Sequence, residues 1–144
     1  MKLKFDNRLT KYLEEEKDIA MIEIKESDEI YKDIEFLIYD LNCIKTRYPL
    51  YKGVDVFSIE HPCGDDAACA SGTIMNIYEY EFDHDISTDN GSSGCPIILL
   101  NNNINLIGVI GIHKLGIDRG EIKINYGIFI GEILNKELNN DNNN

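Results

Sequence analysis

The 144-residue chain has no run of about 18 apolar residues, which excludes a membrane-spanning helix. Its opening, MKLKFDNRLTKYLEEEKD, lacks the apolar core of a secretory signal. Basic charge is scarce. Fourteen Lys and Arg stand against 26 Asp and Glu, a formal net charge of -12. A duplex nucleic-acid binder needs a basic footprint, and none is present. The four cysteines, Cys43, Cys63, Cys69 and Cys95, include no CxxC pair and are too sparse for a disulfide scaffold. Reduced thiols and a cytoplasmic location are the default expectation for a chain without an export signal. The string from His61 to Cys69, HPCGDDAAC, lacks the fourth ligand and the spacing of a zinc site. It reads as a surface loop, so no metal is expected.

What is present is a globular composition, with 43% hydrophobic and 28% charged residues. Glycine is nearly absent before residue 60, where only Gly53 occurs, so tight turns and close backbone approaches belong to the second half. Short β-branched runs predict strands over Asp18–Ile24, Ile34–Tyr39 and Val54–Ile59. Further strands are predicted over Ser71–Phe82, Pro96–Leu100, Leu106–His113 and Ile122–Ile130. Lys11–Lys17 reads as one helical turn or a solvated loop, and Asn101–Asn105 as a turn. Glu132–Leu138 has good helix formers and predicts a short terminal helix. The Asn-rich tail, 139–144, is expected to be disordered. Pro49 and Gly53 punctuate a soft boundary between residues 1–48 and 49–138. Many short strands with little helix predict an all-β barrel or sandwich.

The string with chemistry in it is Ser87-Thr-Asp-Asn-Gly-Ser-Ser-Gly-Cys-Pro96. A serine between glycines in a tight turn can expose its hydroxyl while the same turn aims backbone N–H groups at one point. That is the arrangement an oxyanion hole requires. Pro96 then anchors the turn on a strand. The competing reading of the spacing alone is a Gly/Ser-rich hairpin turn.

Gly91-Ser-Ser-Gly-Cys-Pro96 resembles the GxSGxP nucleophile motif of the chymotrypsin-like (trypsin-like) serine proteases. Three more segments are similar to that family in the same order. Lys17–Ile24 resembles its strand with the catalytic aspartate, Val109–Lys114 its specificity-pocket strand, and Asn125–Ile130 its closing strand. The nearest branch is the glutamyl-endopeptidase-like one. The resemblance implies a double β-barrel, here with a complete C-terminal barrel, a partial N-terminal barrel and a short C-terminal helix. It implies peptide-bond hydrolysis with Ser93 as nucleophile, Asp18 as the residue that orients the catalytic histidine, and the amides of Gly91 and Ser93 as the oxyanion hole. It further implies that Thr88 and His113 contact the substrate's side chain, with a preference for Glu or Asp, and that Lys114 adds positive charge nearby. Cys95 departs from the motif's usual serine or glycine and is expected to be small and buried. The mechanism needs no cofactor. The expected partner is a peptide or protein substrate, with no nucleic acid and no membrane.

One element is missing. No histidine precedes Asp18, and His61, His84 and His113 all follow it. His84 and His61 read as loop or strand-end residues. Loss of one triad member costs on the order of 10⁴ to 10⁶ in rate. The expectation is an incomplete chain, nearly inactive alone, whose upstream segment supplies the histidine. The alternatives are a catalytically inactive homologue that binds peptides, and an unrelated small β-domain.

Overall fold

The computed structural model describes residues 6, 8, 10–12, 18–100, 108–118 and 123–135. The chain divides into two compact units, Met1–Leu37 and Ile38–Asn144. The first holds one antiparallel pair, β1 (Thr10–Tyr12) and β2 (Ala20–Ile22). Its organising contact is Arg8, whose guanidinium grips both carboxylate oxygens of Asp28 at 2.6 and 2.7 Å and also donates to the Glu23 carbonyl. The Lys25 amide donates to the same carboxylate. Together these hold the Asp28 carboxyl down at about 2, with the Arg8 hydrogen bond the largest cause.

The second unit is a closed antiparallel barrel. Its strands are β3 (Asp55–Glu60), β4 (Ala68–Tyr78), β5 (Glu81–His84), β6 (Pro96–Leu99), β7 (Gly108–Asp118) and β8 (Lys123–Phe129). They close in the order β3-β4-β5-β8-β7-β6. Closure removes the exposed strand edges that an open sheet would have to protect. A short helix at residues 131–135 follows β8. The all-β expectation therefore holds. A second closed barrel is not seen among the described residues, and none of their helices is long and apolar enough to cross a membrane.

Inward-facing residues alternate along the strands and form the core: Val56, Ile74, Phe82, Ile97, Ile110 and Phe129. The Phe82 and Phe129 rings meet at 4.6 Å between centroids. Two glycines make room for Phe82. A Cβ at Gly111 would lie 2.7 Å from its ring, and one at Gly127 would strike the ring directly. Residues 38–51 pack onto this core through Cys43, Tyr48 and Tyr51. Asp40 caps α1 (Leu41–Ile44) by accepting from the Asn42 amide, and its carboxylate also takes the Tyr51 hydroxyl at 2.7 Å. The Cys43 thiol donates to the Ile110 carbonyl, and the Tyr48 ring stacks on Phe129 at 4.1 Å. The compact unit thus includes residues 38–48, which precede the break read at Pro49 and Gly53.

Two strand predictions need correction. Ser71–Phe82 is not one strand. Glu79 takes φ of 41°, and the chain turns back at Glu79–Tyr80 from β4 into β5. Ile34–Tyr39 is not a strand either. Only Tyr39 bridges, to Val109, because the segment shares just the Val109-to-Ile38 and Asp40-to-Val109 hydrogen bonds with the barrel. The predicted turn at Asn101–Asn105, the tail 139–144 and residues 13–17 lie outside the described residues.

The packing makes a testable prediction. Alanine at an unhindered glycine usually stabilises by about 0.4–1 kcal/mol. Gly127→Ala is expected instead to destabilise by about 1–3 kcal/mol, since its Cβ meets Phe82. Urea denaturation measures this, and Phe82→Leu in the same chain should recover part of the loss. A stabilised Gly127→Ala would contradict the packing.

Candidate active site

The loop between β5 and β6 is held by short-range hydrogen bonds that its sequence dictates. Asp89 accepts from its own neighbour's amide, Asn90, at 2.7 Å, as aspartate does in turns. The Ser92 amide donates to the Asp89 carbonyl, and the Cys95 amide donates to the Ser92 carbonyl, both at 3.1 Å. Ser92 is fully buried, and its hydroxyl accepts from the Asp89 amide. Ser93, next in sequence, is exposed. Of the two adjacent serines, one is an internal brace and the other faces outward.

Gly91 and Gly94 have φ of 91° and 86°, backbone conformations that glycine adopts without steric cost. A Cβ at Gly91 would also lie 3.2 Å from the His61 carbonyl oxygen. The turn Pro62–Gly64 abuts the loop there, and the Cys63 amide donates to the Asn90 carbonyl at 2.6 Å. On its other side the loop is pinned to β7. The Gly94 amide donates to the His113 carbonyl at 2.8 Å, and the His113 amide donates to the Cys95 carbonyl at 2.9 Å. Among the described residues no acceptor is found for the amides of Gly91 and Ser93.

Ser93, Gly91, Thr88 and His113 line one cleft of about 620 Å³, together with Asn125 and Gly116. Asp18 belongs to the other compact unit, where it is exposed, with φ of 48°, just ahead of β2. The Thr88 hydroxyl donates to the Asn125 side-chain carbonyl at 2.8 Å, and the Asn125 amide donates to the Ile86 carbonyl at 2.7 Å. Thr88 therefore offers the cleft its oxygen lone pairs. Lys114 pairs with Glu81 at 2.9 Å. The charged residues that line the cleft are Asp85, Asp89 and Asp118 against Lys123.

His113 is buried, and its Nδ1 lies 3.3 Å from Nε2 of His84. Burial pulls the His113 imidazole below its ordinary range, while the nearby Glu60 charge pulls it up. His84 is 2% exposed, and burial together with the His113 charge takes it down to about 4. Asp85 and Asp83 oppose that shift. His84 Nδ1 has no partner among the described residues. His61 is exposed, and its Nδ1 contacts the Asp65 carbonyl at 3.0 Å. Cys95 is half-buried, and burial raises its thiol. Cys63 and Cys69 are exposed and free.

His84 ends β5, in keeping with its reading as a strand-end residue, but sequence reasoning missed its burial against His113, and it missed Asn125. The signal was strand alternation: Phe82 and His84 share one face of β5, and Asn125, Gly127 and Phe129 share one face of β8. No protein-family model matches the chain, and no curated protein matches it.

The buried imidazole makes stability fall with acid. An unfolded histidine titrates near 6.5, whereas folded His84 titrates at about 4. Below pH 6.5 the unfolded chain takes up the proton and the folded chain does not. Stability is therefore complete above pH 6.5 and declines as pH falls toward 4, by at most about 1.4 kcal/mol per pH unit for this group. Chemical denaturation between pH 6.5 and 5, above the carboxylate range, should show the slope. His84→Gln should lessen it, leaving the part that His113, also held down by burial, contributes, and an unchanged slope in that variant would contradict the assignment.

Proposed function

We propose that this chain carries the nucleophile and substrate cleft of a trypsin-like serine endopeptidase, as its resemblance to the glutamyl-endopeptidase-like branch implies. The observation that carries the reading is the division of labour between adjacent serines. Ser92 is buried as a brace, while Ser93 is exposed at the cleft, and its own amide and that of Gly91 have no acceptor among the described residues. In acyl transfer, Ser93 Oγ attacks the substrate carbonyl carbon and forms a tetrahedral centre. The negative charge that develops on the carbonyl oxygen is met by the Gly91 and Ser93 amides. Each such donor is worth about 10²–10³ in rate, because it is oriented before the charge appears. The amine departs carrying the proton that the base took from Ser93, and water then releases the acyl group as the acid and returns a proton to Ser93 Oγ.

The serine proton needs a base. None of the three histidines hydrogen-bonds to Ser93: His61 contacts Asp65, and His84 and His113 contact each other. Acyl transfer on this reading needs an imidazole beyond those three, with Asp18 as its orienting carboxylate. The same observation favours a second reading, in which the cleft binds peptides without cleaving them.

An external base separates the two. The chain is incubated with p-nitrophenyl acetate in imidazole buffer, and the acetylated residue is mapped by mass spectrometry. The expected result is acetyl-Ser93, formed faster as imidazole is raised, at a rate about 10³ above a simple serine peptide. The adduct should vanish in Ser93→Ala. Modification confined to surface lysines would sink the peptidase reading and leave the peptide-binding one.

A further inference from the structure

Of the two buried histidines, His113 lines the cleft and His84 does not, and neither takes part in the acyl-transfer chemistry. Their 3.3 Å contact uses Nε2 of His84 and Nδ1 of His113, so the ring nitrogen that His113 has left for the cleft is Nε2. Two proton arrangements are open to a neutral pair. If His113 donated, its Nε2 would turn a lone pair toward a cleft lined by Asp85, Asp89 and Asp118, with Glu60 also close by. The buried Nδ1 of His84 would then carry an N–H with no acceptor among the described residues. If His84 donates, both costs disappear. The His113 Nε2–H points its positive end into a field dominated by carboxylates, and His84 Nδ1 is left with only a lone pair. Burial holds both rings neutral, and Lys114, the neighbouring cation, is engaged by Glu81. Asp83, beside His84, is occupied by Asn76 and Tyr78, and one oxygen of Asp85 accepts from the Thr73 amide.

We propose that His84 is a positioning residue that fixes His113 as the neutral Nε2–H tautomer, and that the cleft thereby selects a side chain ending in a neutral carbonyl, a carboxamide, over a carboxylate. The inference rests on reading the cleft as the pocket for the substrate's side chain. A carboxylate would enter among three like charges, offset by the single cation of Lys123, which stands opposite Asp118 on the neighbouring strand, and would meet an uncharged donor at His113. A carboxamide brings the same acceptor oxygen for His113, and its N–H₂ can donate to the Thr88 oxygen, whose own proton is held by Asn125.

Histidine ¹⁵N NMR on the full chain tests the tautomer directly. His113 is expected as Nε2–H at pH 7.5. In His84→Phe, which removes the donor, it should become a tautomer mixture, while His84→Gln, which keeps an N–H donor, should preserve it. A peptide ending in glutamine should perturb His113 and bind about tenfold more tightly than its glutamate counterpart, the equivalent of about 1.4 kcal/mol. His84→Phe should erase that preference. Observation of His113 as Nδ1–H in the unaltered chain overturns the proposal, even if the variants fail to fold. Tighter binding of the glutamate peptide overturns it as well. Failure of Ser93 to acetylate while His113 behaves as expected counts against the peptidase reading alone.

Discussion

Two backbone hydrogen bonds hold the candidate site together, from Gly94 to the His113 carbonyl and from His113 to the Cys95 carbonyl. They fasten the exposed serine of a loop to the buried imidazole of a strand. Ser93 and His113 are twenty residues apart in sequence, yet this pairing fixes both on one cleft. Without it, the loop would be an ordinary glycine-rich connection, free to point its serine anywhere. The brace inside the loop, where Ser92 and Asp89 satisfy one another, serves the same end from the other side.

The barrel makes that pairing durable. β7 can present His113 inward because Gly111 and Gly127 let the backbone close around Phe82. The register of β7 on β8 shifts between His113 and Leu115, and the bulge re-aims the strand just beyond the histidine. The interior is apolar around Phe82 and Phe129, and the polar side chains Ser58, Glu60, His84 and His113 are buried as well, His113 at the cleft. Burying such groups costs stability.

Much of this was legible in the chain. The GSSGCP string marked the loop, and its glycines marked the φ values the loop adopts. Short apolar, β-branched runs marked β3, β6 and β8. The rest was hidden for identifiable reasons. Glu79 turns a long β-like run into a hairpin, and no turn residue announces it. Ile34–Tyr39 is β-branched and apolar but has few backbone partners, because strand propensity does not supply a neighbour. The pairing of His84 with His113 reaches from β5 past β8 to β7, and Thr88 of the loop finds Asn125 of β8. Contacts of that range follow from closure and register, which local periodicity does not encode.

The central claim is that Ser93, the two amides and His113 form one site. A crystal structure of the chain with a peptide aldehyde ending in glutamine tests it most directly. The account predicts a bond from Ser93 Oγ to the aldehyde carbon, the resulting oxygen on the amides of Gly91 and Ser93, and the side-chain carbonyl on His113 Nε2. A peptide seated elsewhere, or a Ser93 turned away from the cleft in its presence, would contradict it.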